Sequence, residues 1–195
     1  MTIATHTSST YLNDLFGFLK IVEGPGYFVY SDPKHIPTLS IGYALVTEGA
    51  NGWEIRPGYK DHFRAAGLNI DNPNGANYID TTILDGYLRQ AAKALNNDPT
   101  GYDPFHPYSQ NNNILGWAIN DAQSFSLFQV ALPDYEKKVD DFLTRYSISG
   151  LSTKDSRERI ALVSLAWNQT DGPKALLGKG LGTALAHDDR AEAWY

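Results

Sequence analysis

The strongest constraint on this chain lies near its start, where an apolar stripe at helical spacing is cut off by Gly24-Pro25-Gly26. Leu12, Leu15, Phe16, Leu19 and Val22 recur on one helical face behind the capping candidates Ser8-Ser9-Thr10. Proline removes a helix donor and glycine admits left-handed backbone, so the triplet ends the helix. Tyr27-Phe28-Val29-Tyr30 is then β-branched and aromatic, Ser31-Asp32-Pro33-Lys34 carries turn chemistry, and Thr38 to Leu45 reads as a second strand. A helix running into a short hairpin is a compact α+β unit.

From about Gly49 to Ala118 glycine, proline and asparagine dominate, as in 69–75 and 97–104. One convincing helix is expected there, roughly Asp80 to Asn96, with Ile83, Leu84, Tyr87, Leu88, Ala91, Ala94 and Leu95 on its apolar side. A stretch this rich in loops reads as an elaboration packed on another core. Beyond it the chain is helical. Asn120 can cap a helix carrying Phe125, Leu127 and Phe128, and Pro133 suits the first turn of another bearing Tyr135, Val139, Phe142, Leu143 and Tyr146. Asp155-x-x-Glu158 resembles a capping box before Ile160, Val163, Leu165 and Trp167, while Pro173 and Asp188 or Asp189 mark two further starts. The expected fold class is α+β, mainly helical, in a single domain of three parts: 11–48, 49–118 and 119–195.

Composition narrows the chemistry. The 195 residues are 42% hydrophobic and 19% charged, the mix of an ordinary globule, and no apolar run approaches a membrane span. MTIATHTSST has neither the basic nor the apolar region of a secretory signal peptide, so cytoplasmic synthesis is expected. Without cysteine, thiol catalysis and cysteine zinc sites are excluded. A net charge of −6 argues against nucleic acid and anionic membranes as partners.

Glycosidic-bond hydrolysis needs a protonated acid at the leaving oxygen and a second carboxylate serving the opposite side of the sugar. Glu23 ends an apolar helix at the lip of the hairpin, where partial burial and the negative end of the helix dipole both favour the proton-carrying form. Asp32 lies nine residues on in a polar turn that suits an ionised carboxylate, and Thr38 opens the facing strand, where its hydroxyl can hold a water. On spacing alone the plainer reading is favoured: a helix end, a turn former and a β-former.

Their flanks add more. Leu19-x3-Glu23-Gly24-x5-Tyr30-x-Asp32-x5-Thr38-x2-Ile41-Gly42 resembles the signature of the phage-type lysozymes (the T-even phage lysozyme family, glycoside hydrolase family 24). The resemblance resumes at Ile119-Asn120-Asp121-Ala122 and Leu127-Phe128, similar to the start of that family's long interlobe helix. It continues through 159–168, similar to its buried helix, and through Leu181 to Tyr195, with 49–118 as an insertion. It implies a lysozyme-like two-lobed fold with a small hairpin lobe and a helical lobe. It also implies hydrolysis of the β-1,4 bond between N-acetylmuramic acid and N-acetylglucosamine, with Glu23 as general acid, Asp32 as base-side carboxylate and Thr38 placing the water. An inverting outcome follows, with the carboxyls roughly 6.5–9.5 Å apart. No metal or organic cofactor is implied; peptidoglycan is the partner, and a monomer is expected. The site of action would be the cell wall of a target bacterium, reached through a phage pore, a secretion system or a phage tail. Ser40 stands where the family prefers glycine and Tyr43 where histidine is common, and family members usually continue past Trp194-Tyr195.

Tyr30, His35, Trp167 and Asn168 are candidate substrate contacts, through ring stacking, the cleft lip and a hydrogen bond to an acetamido group. Each has a plain alternative: core packing for Tyr30 and Trp167, a solvent-exposed turn for His35, a helix C-cap for Asn168. The five histidines lack ligand spacing, 71–77 lacks the order of a calcium loop, and Gly178-Lys179-Gly180 is no phosphate loop. The tyrosines of 49–118 are expected to pack on the lobes, with glycan, an inhibitor or immunity protein, or an adjoining domain as alternative partners. Two other functions fit: a murein-binding module of lysozyme shape that does not cut, and a lytic transglycosylase.

Overall fold

The computed structural model describes residues 8–24, 26–105, 113–149, 157–168 and 176–187. The fold is α+β and mainly helical, with six helices and small antiparallel sheets among the described residues. The chain divides into two compact units, one formed by Met1–Val22 with Leu132–Tyr195 and the other by Glu23–Ala131. The hairpin and the whole loop-rich stretch therefore belong to the same unit.

Helix α1 (Ser8–Glu23) buries Tyr11, Leu15 and Leu19, each one turn from the next. Val22, expected on that stripe, is 53% exposed, because the buried face runs out at the last turn. Strands β1 (Gly26–Ser31), β2 (Pro37–Ser40) and β3 (Tyr43–Ala44) make an antiparallel sheet in that order. Tyr30 lies opposite Thr38 and Ser31 opposite Pro37, and the register shifts between Gly26 and Tyr30. The single strand expected over Thr38–Leu45 is broken after Ser40. Ser40, the last residue of β2 (φ 61°), and Gly42 (φ 98°) both adopt positive φ, which does not let the pleated strand continue.

The loop-rich stretch is more ordered than its composition implies. Strands β4 (Val46–Gly49) and β5 (Gly52–Ile55) form a second hairpin, followed by α2 (Tyr59–Ala65). Four-residue strands and a seven-residue helix are too short for periodicity to reveal. Helix α3 (Thr81–Leu95) lies where expected, its first turn capped by the Asp80 carboxylate, which accepts from the N–H groups of Thr82 and Ile83. Asn96 at its end exchanges two hydrogen bonds with the Trp53 backbone, both 2.8 Å, tying α3 to β5. Phe63 is fully buried in this unit among the rings of Tyr43, Tyr59 and Trp117.

Helix α4 (Asp121–Arg145) opens on a reciprocal cap: Asn120 Oδ1 accepts from the Gln123 N–H, and Gln123 Oε1 from the Asn120 N–H. Pro133 does not begin a new helix but lies inside this one. Proline's fixed φ suits helical backbone, and the carbonyl it leaves unpaired belongs to Gln129, which is exposed to solvent. Helices α5 (Arg157–Trp167) and α6 (Lys179–Ala186) complete the described elements. In their unit Arg159 is fully buried, paired with Asp140 at 2.7 Å, and Tyr11 donates to Glu136 at 2.8 Å. The starts expected at Asp155, Pro173 and Asp188 or Asp189 lie outside the described residues.

Candidate functional site

Glu23 is the last residue of α1, and Gly24 follows in left-handed backbone (φ 72°), the conformation that turns a chain out of a helix. Glu23 is half-buried. Its Oε1 is shielded from solvent and has no hydrogen-bond partner among the described residues. Orphaned buried polar atoms are rare in folded proteins, and each calls for an explanation.

Tyr30 sits between Glu23 and Asp32 in electrostatic terms. Burial, then the Glu23 and Asp32 charges, push its phenol from 10.0 up to about 12, so it remains a neutral donor at physiological pH. Gly26 fixes where the ring lies: a Cβ there would come within 2.2 Å of Tyr30 Cε1. Only glycine lets the ring fold back along its own strand.

Asp32 organises the hairpin turn. Its Oδ1 accepts from the backbone N–H groups of Lys34 (2.8 Å) and Ile36 (2.9 Å). Oδ2 has no protein partner among the described residues. Thr38, cross-strand from Tyr30, is buried, and its hydroxyl donates to the Ile36 carbonyl at 3.0 Å. That proton being engaged, Thr38 can serve a water only as acceptor.

His35 occupies the turn with φ 63° and a half-exposed ring, its Nδ1 lying 3.3 Å from Asp103 Oδ2. Ser31 Oγ donates to the same oxygen at 2.7 Å. In the sequence Asp103 is one residue of a loop, and no local signal marks it, because it meets Ser31 from 72 positions away.

Trp167 and Asn168 belong to the other unit. Trp167 is 5% exposed, with its ring 4.2 Å from that of Tyr135, so core packing takes the face that a sugar would need. Asn168 is exposed, and its Nδ2 donates to the Ser164 carbonyl one turn back, the helix-end role. In 71–77, the Asp71 carboxylate is engaged by Arg64.

The structure thus gathers Glu23, Tyr30, Asp32, Thr38 and His35 on and beside one hairpin. It supplies one carboxylate with a shielded oxygen that has no partner among the described residues, one held as an acceptor, and a neutral phenol that feels both charges. Carboxylates in unlike surroundings can divide the work of proton donor and base. No family model, curated protein or solved structure matches the chain.

Proposed function

We propose that the chain is a peptidoglycan hydrolase, a muramidase that cleaves the β-1,4 bond between N-acetylmuramic acid and N-acetylglucosamine. Glu23 protonates the leaving oxygen, Asp32 draws the proton from an attacking water through Oδ2, and Thr38 accepts a hydrogen bond from that water. The observation that carries this reading is a pair of dissimilar carboxylates at the two ends of β1: Glu23, with a shielded oxygen that has no partner among the described residues, and Asp32, with Oδ1 held by two turn N–H groups. The unpartnered Oε1 of Glu23 supports the acid role, since a substrate oxygen would satisfy it.

The two turn bonds on Asp32 Oδ1 favour a second reading, in which Asp32 is structural and the protein grips murein without cutting it. Turbidity of purified peptidoglycan separates the two. The wild type clears the suspension and Glu23→Gln does not, while both still sediment with it. Equal clearing by both proteins, or by neither, defeats the enzymatic proposal.

A further inference from the structure

Asp103 stands on a loop built to hold its place. After α3, Asn97 turns the chain in left-handed backbone (φ 57°), and Asp98 Oδ1 accepts from both the N–H and the hydroxyl of Thr100 at 2.8 Å. Those bonds hold the Asp98 carboxyl below the usual carboxylate range, the backbone N–H contributing most. Gly101 then lies directly on α3: a Cβ would come within 2.3 Å of the Ala94 nitrogen and 2.5 Å of the Lys93 carbonyl carbon, backbone atoms that cannot swing aside. Phe105, buried, sets its ring 6.0 Å from that of Tyr87 on α3. Between these two anchors Asp103 Oδ1 accepts from the Phe105 N–H at 2.9 Å, which leaves Oδ2 to meet Ser31 and His35.

Ser31 is the residue between Tyr30 and Asp32, and His35 lies between Asp32 and Thr38. Side chains alternate along a strand, so Ser31 leaves β1 on the face opposite Tyr30. Asp103 therefore grips the hairpin at both ends of its turn, from behind the side that carries the phenol. We propose that Asp103 is a positioning residue: the segment inserted between the hairpin and α4 clamps the catalytic turn through this carboxylate and holds Asp32 and Tyr30 in register with Glu23. The proposal rests on the muramidase reading for its effect on turnover, and on geometry alone for its effect on the turn.

Asp103→Ala, Ser31→Ala, the double variant and Asp103→Asn test it, each assayed on soluble peptidoglycan fragments and by amide hydrogen exchange over 31–38. A displaced reacting group costs on the order of 10- to 100-fold. Asp103→Ala is expected to lose that much in kcat with KM changed less than threefold, and to speed exchange at the turn. Ser31→Ala should fall in the same direction, the double variant should be no worse than Asp103→Ala, and Asp103→Asn, which keeps an acceptor, should recover part of the loss. Activity of Asp103→Ala within twofold of wild type overturns the proposal, as does a loss that appears only in KM. If the wild type itself releases no product, the muramidase reading fails, and exchange alone judges the clamp: unchanged rates at 31–38 in Asp103→Ala refute it.

Discussion

Replacing Glu23 with methionine should make the protein more stable and abolish its activity. A buried polar atom without a partner costs about 1–3 kcal/mol, and Oε1 of Glu23 has none among the described residues. Glu23→Met removes that oxygen and fills the space with an unbranched apolar chain, whereas Glu23→Gln keeps an oxygen of the same kind in the same place. The expected gain is about 1–3 kcal/mol for methionine and close to none for glutamine. For a chain of this size 1 kcal/mol moves Tm by about 2–4 °C, so Glu23→Met should melt roughly 2–12 °C above wild type. Differential scanning calorimetry at pH 7 and low salt measures this, with murein clearing followed on the same samples. A lower Tm for Glu23→Met would refute the reasoning, since it would mean that the carboxylate stabilises the helix end. A variant that melts higher and still clears murein would refute the acid role.

Three other perturbations follow from the same geometry. Ser40 adopts left-handed backbone at a cost of about 1 kcal/mol, and its hydroxyl is bonded to that of buried Ser124. Ser40→Gly alone should therefore gain little or lose stability by orphaning Ser124, while Ser40→Gly with Ser124→Ala should gain about 1 kcal/mol; urea unfolding of both variants decides. Asp80→Ala removes the α3 cap and should cost about 0.5–2 kcal/mol, read in the same assay. The Tyr30 phenol ionises at 10.0 unfolded and at about 12 folded, so its contribution to stability is complete below pH 10 and is lost as pH rises from 10 through 12. Urea midpoints at pH 9 and 11 should accordingly fall further for wild type than for Tyr30→Phe.

What could be read from the sequence was what short-range chemistry dictates. Gly24 stops α1, the apolar side of 80–96 marks α3, and the Asp32 turn closes the hairpin, each signal lying within the element it sets. Pro133 misled because a proline at the start of a helix and one inside it carry the same local preference; what decides is whether the orphaned carbonyl reaches water. The left-handed Ser40 was visible only as a departure from glycine, since its partner Ser124 is 84 positions away. Asp103 carried no signal at all. Its contact with Ser31 depends on α3, on the loop folded against α3, and on a hairpin 72 positions away in sequence, a long-range arrangement that periodicity and turn propensity do not encode.

The most direct measurement of the central claim is the chemistry of the new chain ends. Purified peptidoglycan digested with the protein should yield muramic acid reducing ends, detectable by mass spectrometry after borohydride reduction. Proton NMR of the first turnovers should show the inverted α anomer before it mutarotates. Glu23→Gln and Asp32→Asn should yield neither. Anhydro-muramyl ends, β-anomeric first products or the absence of any new end from the wild type would contradict the assignment of Glu23 and Asp32 as the acid and base of an inverting muramidase.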